Sequence, residues 1–142
     1  MSTIRQISIF LENKSGRLTE VLETLGSGNI NITALTIADT SEYGILRLIV
    51  ADPDGACNLL KQRGFSVNLT EVIALSVSHQ AGSLAQVMTK FSAEKLSIEY
   101  MYAFCLGEKA IIVLRTDNRQ KAMEVIESNR FALINENDIK KI

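Results

Sequence analysis

The sequence Asn-Lys-Ser-Gly-Arg-Leu at residues 13–18 decides the fold, because it returns 66 residues later as His-Gln-Ala-Gly-Ser-Leu at residues 79–84. The glycine and the final leucine are kept, while the polar residues around them change. Apolar residues recur at the same interval along the chain: Val21 and Val87, Ile32 and Ile98, Ile45 and Ile111, Leu48 and Leu114, Ala56 and Ala122, Phe65 and Phe131. Self-similarity at a fixed period is the signature of a duplicated folding unit. The sequence therefore predicts two domains, residues 1–69 and residues 70–142.

Each copy begins with a strand and continues into an amphipathic helix. Ile7, Ile9 and Leu11 alternate with other residues, as do Ile73, Leu75 and Val77, which is typical of a half-buried strand. After the glycine loop the period changes to that of a helix. The apolar stripe of this helix consists of Leu18, Val21, Leu22 and Leu25 in the first copy and Leu84, Val87, Met88 and Phe91 in the second.

The rest of each copy predicts a hairpin, a second helix and a last strand. Second strands are expected at residues 31–38 and 97–105, a polar turn at 41–44 follows the first of them, and third strands are expected at 45–50 and 110–114. Asp52 and Pro53 mark the start of the second helix in copy one. Last strands open at Phe65 and Phe131.

The order βαββαβ predicts an α+β, ferredoxin-like unit, in which both helices cover one face of an antiparallel sheet. No linker separates the copies, since the last strand of the first runs almost directly into the first strand of the second. We therefore expect the two copies side by side, forming a continuous antiparallel sheet.

Composition excludes several classes of function. The chain has 15 Lys and Arg against 16 Asp and Glu, so its net charge of −1 predicts no nucleic-acid partner. It has no apolar stretch long enough to cross a bilayer and no leader-like N-terminus, so we expect no membrane association and a cytoplasmic location.

No motif predicts catalysis or a metal. His79 is the only histidine, and Cys57 and Cys105 occupy unmatched positions in the two copies without a CxxC pattern. The glycine spacing fits neither a phosphate-binding loop nor a dinucleotide fingerprint. We therefore expect no enzyme activity, no cofactor and no metal.

The loop before the first helix of each copy is the best candidate for a binding site. The first amides of a helix have no partner inside it, and together with the helix dipole they attract an anion such as a carboxylate. Gly16 and Gly82 would let a ligand approach the backbone closely. The alternative is that both glycines serve only a tight turn.

The loop at residues 13–18, followed after the helix by Asn29, Ile30, Asn31 and Ile32, resembles the ACT domain, the amino-acid-sensing module of many metabolic enzymes. The resemblance covers the whole chain, twice. Ser15 and Ala81 stand where the family usually has proline, and His79 stands where it has Asp or Asn.

The resemblance implies two ligand sites, each between the loop of one copy and the second strand of the other. Site one would combine the first loop with Ser97 and Ile98, and site two would combine the second loop with Asn31 and Ile32. The loop residues are Asn13, Lys14, Ser15, Gly16, Arg17 and Leu18 in the first copy and His79, Gln80, Ala81, Gly82, Ser83 and Leu84 in the second. Loop amides would hold the ligand carboxylate. The implied contacts to its ammonium group or side chain are Asn13, Asn31, Ser97 and His79.

The resemblance thus implies a regulatory protein that binds a small L-amino acid, changes state allosterically and acts in trans on an unidentified target protein. A homodimer is compatible with this expectation. Two alternatives remain open. One is a ligand-free structural module for dimerisation. The other is an RNA-binding βαββαβ protein, although such proteins place aromatic residues on the first and third strands, where this chain has only Phe10.

Overall fold

A computed structural model describes residues 3–39 and 42–142 of the chain, so residue 41 of the expected turn lies outside the described residues. The elements of the first repeat are β1 (Ile4–Glu12), α1 (Arg17–Ser27), β2 (Ile32–Asp39), β3 (Tyr43–Val50), α2 (Pro53–Gln62) and β4 (Ser66–Ser78). Those that follow are α3 (Ser83–Ala93), β5 (Ile98–Leu106), β6 (Lys109–Thr116), α4 (Arg119–Ser128), β7 (Ala132–Leu133) and α5 (Glu136–Lys140).

One compact unit is built mainly from the first repeat and comprises Arg5–Glu71 with Glu136–Ile142. Its strands follow the order β2-β3-β1-β4, and β3 pairs antiparallel with both β1 and β2. Both helices cover the same face of the sheet, because the odd-numbered residues of β1 share one core with α1 and α2. The residues of this core are Ile7, Ile9, Leu11, Val21, Leu25, Leu46, Leu48, Val50, Ala56, Cys57, Leu60, Phe65 and Val67.

The other unit is built from Val72–Asn135, with the segment that ends at Ile4. Its strands follow the equivalent order β5-β6-β4-β7, although β7 is only two residues long. Its core residues are Ile73, Leu75, Val87, Phe91, Leu96, Ile112, Leu114, Ala122, Met123, Val125 and Ile126. Each unit is therefore α+β, antiparallel and ferredoxin-like with its helices on one face, which confirms the predicted fold class.

Strand β4 joins the repeats without an interruption. Val67, near its start, belongs to the first core, whereas Ile73 and Leu75 belong to the second. Consecutive strands expected on either side of residue 70 are thus one 13-residue strand. The stretch from Ser66 to Ser78 contains no glycine or proline, so it lacks the residues that most strongly favour a turn.

The last helix, α5, belongs to the unit of the first repeat. Arg5 donates to Glu136 through Nε at 2.6 Å and to Asp54 through Nη1 at 2.8 Å. Ile139, on the same helix, is buried. The compact units are consequently discontinuous in sequence, while the repeats are continuous.

Within residues 3–39 and 42–142, no helix has the length and apolar character needed to span a membrane.

Candidate functional site

Each repeat has a hollow beside its glycine loop, and the two hollows use the same positions. Hollow 1 is lined by Leu11, Glu12, Asn13, Lys14, Leu18, Ile37 and Gly44. Every one of these positions has its counterpart 66 residues later in hollow 2, which is lined by Val77, Ser78, His79, Gln80, Leu84, Ala103, Phe104, Cys105, Ala110 and Ile112. The repeat has therefore duplicated a surface depression as well as a fold.

The backbone of the loop is also duplicated. Asn13 N donates to Glu42 O at 2.8 Å, and His79 N donates to Glu108 O at 3.0 Å. These bonds tie each loop to the hairpin of its own repeat. The first helical turns match as well, because the amides of Glu20 and Gln86 bond to the carbonyls of the loop glycines at 3.0 and 3.1 Å.

Gly16 and Gly82 cap the N-termini of α1 and α3 with φ angles of 90° and 87°. This left-handed conformation is strained for any residue with a Cβ. A Cβ at either position would meet no heavy atom within 4 Å, so glycine is suited here for its φ angle and not for lack of space. The N-terminus of each helix is therefore open to approach. Glycine offers no side-chain acceptor to the first amides, which suits these amides to an anion from outside the helix.

The charges at the two hollows differ. Lys14 Nζ lies 2.8 Å from Glu12 Oε2 at hollow 1, and the hydrogen bond from Lys14 lowers the pKa of the Glu12 carboxyl. Their counterparts at hollow 2 are the uncharged Ser78 and Gln80. Hollow 1 thus carries an ion pair at a place where hollow 2 is neutral.

The sizes of the two hollows differ as well. Hollow 1 has a volume of about 160 Å³ and hollow 2 of about 250 Å³. Ile37, on β2, projects into the first, and the smaller Ala103 occupies its place on β5 in the second. The branched side chain at hollow 1 thus occupies space that alanine leaves open at hollow 2, which also extends over Phe104, Cys105 and Ile112.

Cys105 is a residue of hollow 2 that the sequence did not indicate. Its Sγ lies 3.9 Å from both ring nitrogens of His79, although 26 residues separate the two in sequence. The register of the β5–β6 hairpin could have indicated Cys105, because its pairing with Ala110 places the cysteine side chain on the side of the loop. Cys57, by contrast, is buried in the first core.

Not all loop residues of the sequence prediction face the hollows. The Arg17 guanidinium lies 4.9 Å above the Phe65 ring and bonds to Glu20 at 3.0 Å, which directs it toward the helices. At its counterpart Ser83, the hydroxyl lies 2.8 Å from that of Ser78. The remaining loop residues, Ser15, Gly16, Ala81 and Gly82, are exposed.

The predicted second-strand residues lie at the opposite end of their own strands. Ile32 pairs with Val50, whereas Asp39 pairs with Gly44 beside hollow 1. Asn31 precedes Ile32, and its carbonyl accepts from Ala51 N at 3.2 Å. In the second repeat Ser97 N donates to Asp117 Oδ1 at 3.0 Å, and Ile98 pairs with Thr116. Neither pair of residues meets the loop of its own repeat.

The described part of the chain contains no group of three or more His, Cys, Asp or Glu residues that could hold a metal ion.

Comparison with known proteins places these features in a family. The model of the ACT domain pair family matches residues 2–142. The structure of protein BT0572 from Bacteroides thetaiotaomicron is 46% identical in sequence, with a TM-score of 0.93, and the alignment covers 99% of this chain and 97% of that one.

More distant structures share the fold. The ligand-free regulatory subunit of aspartate kinase from Thermus thermophilus aligns with a TM-score of 0.63 at 12% identity, over 87% of this chain and 90% of that one. A structure of aspartokinase alpha and beta subunits aligns with a TM-score of 0.57 at 14% identity, over 90% and 96%. No curated protein matches the sequence.

Proposed function

The chain belongs to the family of ACT domain pairs, and we propose that it is a regulatory protein that binds a small L-amino acid and acts in trans on a second protein. ACT domains are regulatory modules. The structural likeness to regulatory subunits of aspartate kinase concerns the fold, and it agrees with this class of function.

The observation that carries the proposal is the repetition of the hollow. Seven lining positions of hollow 1 recur in hollow 2, and each set lies beside a helix that begins at a left-handed glycine. An α-carboxylate fits the amides of that helix, and the rest of the amino acid would lie over the hollow.

The proposed contacts are those of the sequence analysis. The loop amides around Gly16 or Gly82 would hold the carboxylate, and Asn13 or His79 would meet the ammonium group. Since Asn31, Ile32, Ser97 and Ile98 lie far from the loop of their own repeat, we propose that they contact a ligand held by the loop of another repeat.

A thermal-shift screen with the twenty L-amino acids tests the function. A ligand that binds only the folded state stabilises it by about 2.7 kcal/mol at 100 times its Kd. For a chain of this size we expect the melting temperature to rise by several degrees. The D-enantiomer of each active chiral compound is the matched control, because it carries the same charges in a different geometry.

A flat response to all twenty compounds would contradict the proposal and favour a ligand-free structural role. Action in trans needs a second measurement. Affinity capture from extract of the source cells, with and without the active amino acid, should recover a protein whose yield changes with the ligand.

A further inference from the structure

We propose that hollow 2, and not hollow 1, is the amino-acid site of this chain, and that it selects an L-amino acid with an uncharged, apolar side chain. The inference rests on the proposed function and adds to it the position of the site and the class of ligand. It follows from three differences between hollows that share one backbone.

The first difference is charge. A ligand side chain that entered hollow 1 would meet the Glu12 and Lys14 ion pair, which is already formed at 2.8 Å. At hollow 2 the same two positions are Ser78 and Gln80, so no fixed charge is available there to balance a charged ligand side chain. Over an apolar lining a charged ligand side chain would lose part of its hydration without gaining a partner, which is unfavourable. Hollow 2 therefore disfavours acidic and basic amino acids.

The second difference is space. Ile37 fills part of hollow 1, whereas Ala103 leaves the equivalent volume of hollow 2 open. Hollow 2, at about 250 Å³, is larger than hollow 1, at about 160 Å³, and a ligand side chain would lie in the space beside Ala103. Ala103 is itself exposed on β5, so the opening faces solvent.

The third difference is the lining. Val77, Leu84 and Ala110 extend the second core to the surface at hollow 2, since all three pack against it while remaining only partly buried. The partly buried Phe104 adds further apolar surface, and it belongs only to this hollow. An aliphatic or aromatic ligand side chain would remove these groups from water, which is favourable in proportion to the apolar area covered.

Cys105 supplies a direct reporter of occupancy. Its thiol is exposed at hollow 2, while the thiol of Cys57 is 5% exposed within the first core. Labelling of the native protein with N-ethylmaleimide, followed by mass spectrometry, should modify Cys105 first. Cys57 is the internal control, because its labelling reports unfolding.

The experiment combines this labelling with calorimetric titration of the full chain. L-leucine, L-methionine and L-phenylalanine are the apolar probes, and L-aspartate and L-lysine are the charged ones. We expect at least one apolar probe to bind at least about tenfold more tightly than either charged probe, since one methylene in an apolar pocket is worth about 10- to 200-fold. A saturating amount of it should slow the labelling of Cys105 and leave that of Cys57 unchanged.

Two variants test the position of the site. Ala103→Ile places the side chain of hollow 1 in hollow 2 and should weaken binding of the apolar probe by about 100-fold. Ala38→Ile is the matched control. Ala38 is an exposed alanine on β2, which pairs with β3 as β5 pairs with β6, but it does not line a hollow. The double change Ser78→Glu with Gln80→Lys recreates the ion pair of hollow 1 and should also weaken binding. Melting temperatures near that of the parent show that each variant is folded.

The inference is wrong if aspartate or lysine binds as tightly as the apolar probes, or if bound ligand leaves the labelling rate of Cys105 unchanged. Unchanged affinity in Ala103→Ile would also overturn it. In these cases an amino acid still binds, and the proposed function stands. If none of the five probes binds, the inference fails, and the proposed function fails with it only if none of the twenty amino acids binds.

Discussion

The two repeats keep one backbone at the loop and present different side chains on it. Equivalent amides bond to equivalent carbonyls, and Gly16 and Gly82 have φ angles within a few degrees of each other. The charged Glu12 and Lys14 and the branched Ile37 of hollow 1 are nonetheless replaced at hollow 2 by uncharged residues and by the smaller Ala103. A fold that occurs twice in one chain thus separates the residues that build a loop from those that line the hollow beside it.

Other positions show that the same backbone tolerates different residues. Gly64 has a φ of 86°, and its counterpart Arg130 has a φ of 56°. Asp52 and Asn118 cap α2 and α4 equivalently, by accepting from Gly55 N and Lys121 N. The effect of a substitution in one repeat can therefore be compared with the effect at the equivalent position of the other repeat.

Cutting the chain after Leu69 should have the largest effect on stability. The cut falls inside β4 and separates Glu136–Ile142 from the unit to which they belong. We expect neither residues 1–69 nor residues 70–142 to unfold cooperatively as a monomer, because each half leaves apolar surface and strand edges uncovered. Circular dichroism on heating, with sedimentation to measure mass, checks this. A sharp monomeric transition in both halves would show that the proposed domains at residues 1–69 and 70–142 are independent.

The equivalent core positions Leu25 and Phe91 allow the two cores to be compared. Both are essentially fully buried. Phe91→Ala should lower the free energy of unfolding by about 3–5 kcal/mol and Leu25→Ala by about 2–5 kcal/mol, because each leaves a cavity. Urea denaturation measures both. A loss below about 1 kcal/mol at either position would mean that this core collapses around the vacancy.

The loop glycines should contribute to the free energy of unfolding to a similar degree in both repeats. Gly16→Ala and Gly82→Ala should each lower the free energy of unfolding by about 1–2 kcal/mol, since the left-handed conformation is unfavourable for residues with a Cβ. Gly26→Ala is the control, because Gly26 lies inside α1 and its Cβ would meet nothing within 4 Å. That change should stabilise the protein by about 0.5–1 kcal/mol. A larger loss at only one loop would show that the duplicated backbones differ in function.

The bond between Arg5 and Glu136 belongs to one unit only, and acid should weaken it. The hydrogen bond from Arg5 lowers the pKa of Glu136 below its ordinary value of 4.5, and Arg5 likewise lowers the pKa of Asp54 below 3.8. Their contribution to stability is therefore fully present above about pH 5 and is lost as the pH falls through the lowered values.

Glu136→Gln should lower the free energy of unfolding at pH 7 by about 0.5–1 kcal/mol, because the pair is partly exposed. The difference between variant and parent should shrink as the pH falls toward 3. Denaturation in urea at pH 7, 5 and 3 measures this difference. A difference that is as large at pH 3 as at pH 7 would show that the pair does not account for it.

The smallest effect on stability is expected at Gly64 and Arg130, which directly follow the C-caps of α2 and α4. Arg130→Gly should raise the free energy of unfolding by about 0.5 kcal/mol, because removing the Cβ relieves a left-handed residue by more than the added freedom of the unfolded chain opposes it. Gly64→Arg, the reciprocal change, should have the opposite sign. If both changes shift the free energy of unfolding in the same direction, side-chain contacts decide the outcome at these positions.

Much of the fold was predictable because its signals are local and occur twice. The alternation of Ile7, Ile9 and Leu11 and the helical spacing from Leu18 to Leu25 each specify an element without knowledge of the rest of the chain. The loop glycines were likewise visible in the sequence, and the structure gives both the positive φ angles for which glycine is suited. The repeat interval then supplied the order of elements for the second half.

The sequence by itself determined two ferredoxin-like units and the position of the glycine loops, because backbone preferences and apolar periodicity depend on neighbours in the chain. Only the tertiary structure decided that Ile37 and Ala103 line the hollows and that Cys105 lies beside His79. Which side chains meet across a hairpin depends on register, and a slip of one residue would move every side chain to the other face. That register is set by packing against residues far away in the sequence.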